Sequence, residues 1–72
     1  MGKLKQRDFD RILAVTTPGV EVDSGMISDE IFKRFGVRYT KREIGLAIAW
    51  SLNTSFSKRR ADSTQVWTFT RL

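Results

Sequence analysis

Residues 27–49 read ISDEIFKRFGVRYTKREIGLAIA, and this stretch decides the fold because it contains two helical segments with their own start and stop signals. Ser28 is predicted to cap the first of them, a short helix over about 29–35, since acidic residues follow it where the helix dipole favours negative charge. Gly36 is the expected end of this helix, because glycine adopts the left-handed conformation at little cost.

The second helical segment follows after a turn of only a few residues. Thr40 and Glu43 have the spacing of a capping box, in which each side chain binds the exposed backbone N–H of the other residue. Good helix formers follow, so a helix is predicted from about 41 to 52. A capped apolar helix, a glycine, a short turn and a second capped helix therefore stand in succession.

A further helix precedes this pair. Phe9, Ile12, Leu13 and Thr16 fall at helical spacing and predict one apolar stripe on a helix over about 5–16. Pro18 and the glycine after it close that helix, because the residue before a proline is pushed out of the helical conformation.

Extended structure is expected in two places. A short strand is predicted near residues 25–27, where a Ser-Gly turn precedes two apolar residues. From Phe56 the pattern changes to one of alternating residues, and 66–72 is β-branched and aromatic, which favours a C-terminal hairpin closed by a polar loop.

In this order the elements resemble the winged helix-turn-helix family, and the resemblance covers nearly all of residues 1–72 as a single domain. It implies an α+β fold of three helices with a C-terminal β-hairpin wing. It also implies double-stranded DNA as partner, with the third helix in the major groove and the 57–65 wing on the backbone or minor groove. The expected role is a small transcription regulator of phage or plasmid type, or an accessory protein of another DNA transaction.

Composition argues against catalysis. The chain has no histidine and no cysteine, which removes the commonest general base and the commonest metal ligands. We therefore expect no enzyme, no catalytic residue, no metal, no cofactor and no small-molecule substrate. No apolar segment has the length of a membrane span, and no signal peptide is evident, so a cytoplasmic protein is expected, nucleoid-associated if it binds DNA.

Charge is distributed unevenly along the chain. Residues 1–30 contain four basic and six acidic residues, a net charge of −2, whereas residues 31–72 contain nine basic and two acidic residues, a net charge of +7. A polyanion is expected at the basic half. A solvated basic surface that serves only solubility is the alternative.

The third helix leaves one narrow arc outside its broad apolar face. That arc contains Arg42, Gly45, Ala49 and Asn53, and Lys41 lies near its margin at Leu52. Cations reach phosphates or guanine, and small side chains let the helix backbone approach the bases. The residues predicted to contact DNA are therefore Lys41, Arg42, Gly45 and Ala49. Alternatively, the small residues only fill the helix surface or receive a helix of another protein.

Two basic segments flank this helix. In the turn before it, Arg38, Tyr39 and Thr40 are predicted phosphate contacts, although Tyr39 could instead belong to the edge of the core. Lys58, Arg59 and Arg60 are predicted to form a basic hairpin tip that contacts phosphates or the minor groove. The alternative is a charged tip that protects an edge strand from aggregation.

The aromatic residues are assigned to the core, because a domain this small needs large apolar groups. Ile31, Phe32 and Phe35 are the expected buried stripe of the second helix. Trp50, Phe56, Trp67 and Phe69 are also assigned to the core, with Thr68 and Thr70 on the opposite strand face. Exposure of Trp50 or Trp67 would instead favour a stacking surface for single-stranded nucleic acid.

A function of a different class is also compatible with this pattern. Winged-helix domains serve as protein-interaction modules, and a virus-encoded inhibitor of a host protein would have a similar sequence. A single recognition helix covers little surface, so a homodimer or a protein partner is expected beside the DNA.

Overall fold

The computed structural model, which describes residues 4–60 and 67–72, combines helices with antiparallel strands. The fold is α+β, and in the described residues it has the predicted order of elements. They are α1 (Gln6–Ala14), β1 (Glu21–Asp23), α2 (Ser24–Phe35), α3 (Lys41–Trp50), β2 (Phe56–Arg60) and β3 (Trp67–Arg71).

Helix α1 buries the stripe that its sequence predicts. Ile12 and Thr16 are buried, while Phe9 and Leu13 pack partly buried against the core. The helix ends at Ala14, earlier than expected, and the Thr16 hydroxyl donates to the Ile12 carbonyl at 3.0 Å. That bond lets a threonine be buried with its polar group satisfied.

The predicted start of α2 is wrong. Gly25 and Ile27, expected in a strand, lie in the first turns of the helix, and the strand lies just before them at Glu21–Asp23. Asp23 is the N-cap, and its carboxylate accepts the Met26 backbone N–H at 2.8 Å. Both Asp23 and Ser28 are good capping residues. Pairing of β1 with β3 holds Asp23 in the extended conformation that a cap requires, and this decides between them.

Ser28 therefore lies inside α2, where its hydroxyl donates to the Tyr39 carbonyl at 2.5 Å. The predicted apolar stripe of α2 is only partly correct, because Phe32 and Phe35 are exposed. Arg38 lies over the ring of Phe32 and Arg11 over that of Phe35, which covers part of each ring. The buried residues of α2 are Ile27, Ser28 and Ile31.

The turn and the start of α3 are as predicted. Gly36 has a φ of 70°, the left-handed conformation. The Thr40 backbone N–H donates to the Glu43 carboxylate at 2.8 Å, and the Glu43 N–H donates to the Thr40 hydroxyl at 3.1 Å, which completes the capping box. Helix α3 ends at Trp50, two residues before the predicted end.

The sheet has the order β1-β3-β2, so the last strand lies in the middle. Val22 of β1 and Lys58 of β2 both lie opposite Phe69, while Arg60 lies opposite Trp67. Since side chains alternate between the faces of a sheet, Phe56, Lys58 and Arg60 point to the same side as Phe69. As predicted, Thr68 and Thr70 occupy the opposite face.

The core confirms two of the four aromatic assignments and corrects two. Phe56 and Phe69 are buried, whereas Trp50 is 78% exposed and Trp67 is 47% exposed. Trp50 occupies the last turn of α3, and the buried residues of that helix are Ile44, Ala47 and Ile48. Strand β1 ends opposite Thr68, so β2 is the one strand of the described residues that pairs with β3 at Trp67.

Candidate nucleic-acid interface

An open groove of about 680 Å³ lies between α3, the start of α2 and the sheet. Helix α3 contributes Lys41, Arg42, Gly45 and Ala49. The sheet contributes Lys58, Trp67 and Phe69, and the region around the start of α2 contributes Asp23, Ser24 and Gly25. The groove is thus assembled from segments that lie far apart in the sequence.

The four residues of α3 that were predicted to contact DNA all line this groove. The two small ones keep it open, because larger side chains at their positions would project into it. A Cβ atom at Gly45 would lie 3.7 Å from the Ser24 hydroxyl oxygen, so α2 and α3 approach closely at this point. The cations Lys41 and Arg42 lie in the first turn of α3.

Gly25 makes room for Lys41, which the sequence alone does not indicate. A Cβ atom at Gly25 would lie 3.1 Å from Lys41 Cε, so the lysine stem passes over the start of α2. Asp23 is the acidic residue of the groove lining, and its carboxylate accepts the Met26 N–H.

The predicted basic hairpin tip is corrected by the structure. Lys58, Arg59 and Arg60 lie within β2, and residues 61–65 of the predicted wing lie outside the described residues. Alternation along the strand separates the three cations, so that Lys58 lines the groove while Arg59 points to the other face of the sheet.

Arg59 is engaged on that other face. Its guanidinium donates to both carboxylate oxygens of Glu21, at 3.1 and 3.0 Å, and the Thr68 hydroxyl donates to the same carboxylate at 2.7 Å. The hydrogen bond from Thr68 and the charge of Arg59 lower the pKa of Glu21. Arg59 therefore connects β2 to β1 across β3 and is withdrawn from the groove.

The turn before α3 lines a neighbouring depression together with Lys41. Arg38 forms an ion pair with Asp29 at 2.8 Å, and the Thr40 hydroxyl is occupied by the capping box. Tyr39 is buried. It therefore belongs to the core, which was the alternative to the predicted phosphate contact.

The Tyr39 hydroxyl lies between two charged groups of α1. It donates to the Asp8 carboxylate and accepts from Arg11 Nη1 at 3.0 Å. The hydrogen bond from Tyr39 is the main cause that lowers the pKa of Asp8. Burial, followed by the hydrogen bond to Asp8, raises the pKa of Tyr39. This side chain joins α1 to the turn before α3.

Several arginines of the basic half are engaged by other parts of the protein. Arg34 forms an ion pair with Glu30 at 3.4 Å and donates to the Ala14 carbonyl at 2.9 Å. Arg71 donates to the carbonyls of Leu13 and Thr16, at 2.8 and 3.0 Å. By contrast, among residues 4–60 and 67–72, the groove cations Lys41, Arg42 and Lys58 form no ion pair.

The sequence-based assignment of Trp67 to the core missed a residue of the groove. A signal was present in the sequence. Phe56, Lys58 and Arg60 lie on one face of β2, which is apolar at Phe56 and charged at the two residues that follow on that face. A residue paired with the charged end of that face lies past the core. The sequence predicts that exposure of Trp50 or Trp67 would favour a stacking surface for nucleic-acid bases, and both residues are exposed.

The described residues contain no group of three or more acidic or other ligating side chains that could hold a metal ion. None of the described helices is long and apolar enough to cross a membrane. Comparison with protein-family models, curated proteins and solved structures gave no match.

Proposed function

We propose that this protein is a winged helix-turn-helix domain that binds double-stranded DNA, with α3 in the major groove and the β2–β3 hairpin on the adjoining backbone. The observation that carries the proposal is that cations of α3 and β2 line the same open groove. Lys41 and Arg42 come from one wall and Lys58 from the other. Such an arrangement lets two elements contact one polyanion at once.

The charge of the groove supports this proposal. Among its described lining residues Asp23 is the acidic one, and its carboxylate is hydrogen-bonded to the start of α2. Lys41, Arg42 and Lys58 therefore dominate the local potential, which favours binding of phosphates. Net charge alone would be weaker support, since several other arginines of this half are paired within the protein.

The residues of the groove suggest separate roles. Lys41 and Lys58, on opposite walls, would bind backbone phosphates, which position the protein without reading sequence. Arg42 would reach the guanine edge or a phosphate, and Gly45 and Ala49 would let the helix approach the bases. Arg59, bound to Glu21, has no role in this proposal.

The biological role proposed on this basis is regulation of transcription or service in another DNA transaction, without catalysis. One recognition helix of this length contacts few base pairs. A second copy of the chain or a protein partner would therefore be needed for a highly specific site.

The test is a titration of duplex DNA at several salt concentrations. Each phosphate contact contributes about −0.9 to the slope of log affinity against log salt concentration. Lys41→Ala and Lys58→Ala are each expected to weaken binding and reduce that slope by about one. Lys33→Ala is the matched control, because this substitution removes the same charge from an exposed position on α2 outside the groove lining.

Two outcomes would reject the proposal. One is the absence of salt-sensitive binding to duplex DNA at low ionic strength. The other is a loss of affinity in Lys33→Ala equal to that in Lys41→Ala and Lys58→Ala, which would indicate a general effect of net charge. Arg59→Ala is expected to keep both affinity and slope, since Arg59 lies on the other face of the sheet.

A protein-interaction module is the second candidate, and one observation favours it. Leu46 and Trp50 stand one turn apart on α3, and both are exposed. They lie outside the groove lining, so a protein could contact them while the groove binds DNA. If Leu46→Ser abolished self-association or partner binding and kept DNA affinity, the two functions would be separate.

A further inference from the structure

Trp67 is a large aromatic residue left half exposed at the end of the sheet. Phe69, two residues later on the same strand face, is buried, whereas Trp67 is 47% exposed. The cause is local, because β1 ends opposite Thr68 and the cross-strand partner of Trp67 is Arg60 of β2. The indole thus stands where neither β1 nor the core covers it.

Two cations accompany this ring. Lys58 Nζ lies 5.8 Å and Arg60 Cζ lies 5.4 Å from the ring centroid. Cation–π contacts at these distances place two positive charges over the indole. An aromatic face next to cations is the combination that binds a base together with its phosphate.

The ring also faces the groove already proposed to bind DNA. Trp67 and Lys58 line one wall, opposite Lys41, Gly45 and Ala49 of α3. A nucleic-acid strand in the groove would therefore pass along the indole. The exposure of Trp67 within a groove that Lys41 and Lys58 also line argues for a binding role at this position.

Trp50 provides an internal comparison. It is even more exposed than Trp67, yet it is not part of the groove lining, and within the described residues no cation lies over its ring. The two tryptophans therefore differ in surroundings, although both are accessible to solvent. If stacking depends on the groove, only Trp67 should take part.

We propose that Trp67 stacks on an unpaired base, so that the preferred ligand of the groove is duplex DNA interrupted by a short single-stranded gap. This inference rests on the proposed DNA-binding function. In an uninterrupted duplex each base is already stacked on both sides, and unstacking it opposes contact with the indole. In a gap that cost is absent, and stacking on an aromatic ring strengthens binding by about tenfold.

The experiment compares a short uninterrupted duplex with the same duplex carrying a single-stranded gap in one strand. Wild-type protein is expected to bind the gapped DNA about tenfold more tightly. Trp67→Ala should lose this preference and bind the gapped and the uninterrupted DNA with equal affinity. Trp50→Ala is the matched control and should retain the preference.

Fluorescence of single-tryptophan variants gives an independent measurement. Trp50→Phe leaves Trp67 as the emitter, and its emission should be quenched by gapped DNA more than by the uninterrupted duplex. Trp67→Phe leaves Trp50, whose emission should change little with either DNA. Thermal unfolding of each variant establishes that it is folded.

The results separate this inference from the function on which it rests. Equal affinity of wild-type protein for both DNAs, or a preference that survives in Trp67→Ala, would overturn the role of Trp67 and leave duplex binding intact. Absence of salt-sensitive binding to either DNA would overturn the proposed function and the inference together.

Discussion

Tyr39 illustrates how one side chain can serve the fold at a position that sequence reasoning assigned to DNA. Its ring is buried, its hydroxyl contacts Asp8 and Arg11 of α1, and its carbonyl accepts the Ser28 hydroxyl of α2. Three segments therefore meet at this residue. The turn before α3 is held by these bonds, and so is the position of the groove cations that follow.

Replacement of Tyr39 by phenylalanine tests this role. Tyr39→Phe is expected to lower the free energy of unfolding by about 1.5 kcal/mol at neutral pH, since it removes hydrogen bonds to charged groups. The pKa of Asp8 is lower in the folded protein than in the unfolded chain, so the ionised carboxylate stabilises the fold. This stabilisation is fully present above the unfolded pKa of about 3.9 and is lost as the pH falls through the folded pKa.

Urea unfolding at a series of pH values measures the effect. Wild-type protein should lose stability on acidification below about pH 4, and Tyr39→Phe should lose less over the same interval. An unchanged acid dependence in Tyr39→Phe would mean that the hydrogen bond from Tyr39 does not govern the Asp8 pKa. Asp8→Asn is the control that removes the titrating group itself.

At the scale of elements, α3 depends on its first turn. The helix is only ten residues long, and Gly45 weakens it in the middle. The capping box of Thr40 and Glu43 satisfies backbone N–H groups that would otherwise lack partners at its start. Lys41 and Arg42 directly follow the cap, so the same bonds position the cations.

Loss of the cap should therefore be measurable. Thr40→Ala is expected to cost about 1 kcal/mol of folding free energy, and Thr40→Ser, which keeps the hydroxyl, should cost only a few tenths. Denaturant unfolding of the three proteins measures this difference. Equal stability of Thr40→Ala and Thr40→Ser would show that the hydroxyl bond contributes nothing to α3.

At the scale of the whole molecule, the groove exists because three separate regions meet. The β1–α2 junction contributes Gly25, α3 contributes Lys41, and the hairpin contributes Lys58 and Trp67. None of the groove cations belongs to the buried core. Affinity for DNA and stability of the free protein should therefore respond to different substitutions.

Thermal unfolding with and without duplex DNA tests that separation. A ligand that binds only the folded state stabilises it by about 2.7 kcal/mol at one hundred times its dissociation constant. The double variant Lys41→Ala/Lys58→Ala should keep its stability without DNA to within about 0.5 kcal/mol. At the same DNA concentration it should gain less stability than wild type, whereas an equal gain would place the binding surface elsewhere.

The predictions from sequence were correct where the structure depends on residues that are close together in the chain. The Thr40–Glu43 box, the Gly36 cap and the stripe of α1 depend on contacts within a turn or on the helical repeat, so spacing reveals them. The same helical repeat also placed Arg42 and Ala49 on one side of α3, where both line the groove.

The tertiary structure decided what depends on distant pairing. Asp23 rather than Ser28 caps α2 because β1 pairs with β3, a contact between the first and last strands. The same pairing ends before Trp67 and leaves it exposed, and the partner Glu21 removes Arg59 from the groove. Such outcomes depend on which strands meet and where they end, so the charges along one face of β2 become a signal for Trp67 only once the pairing of β2 with β3 is known.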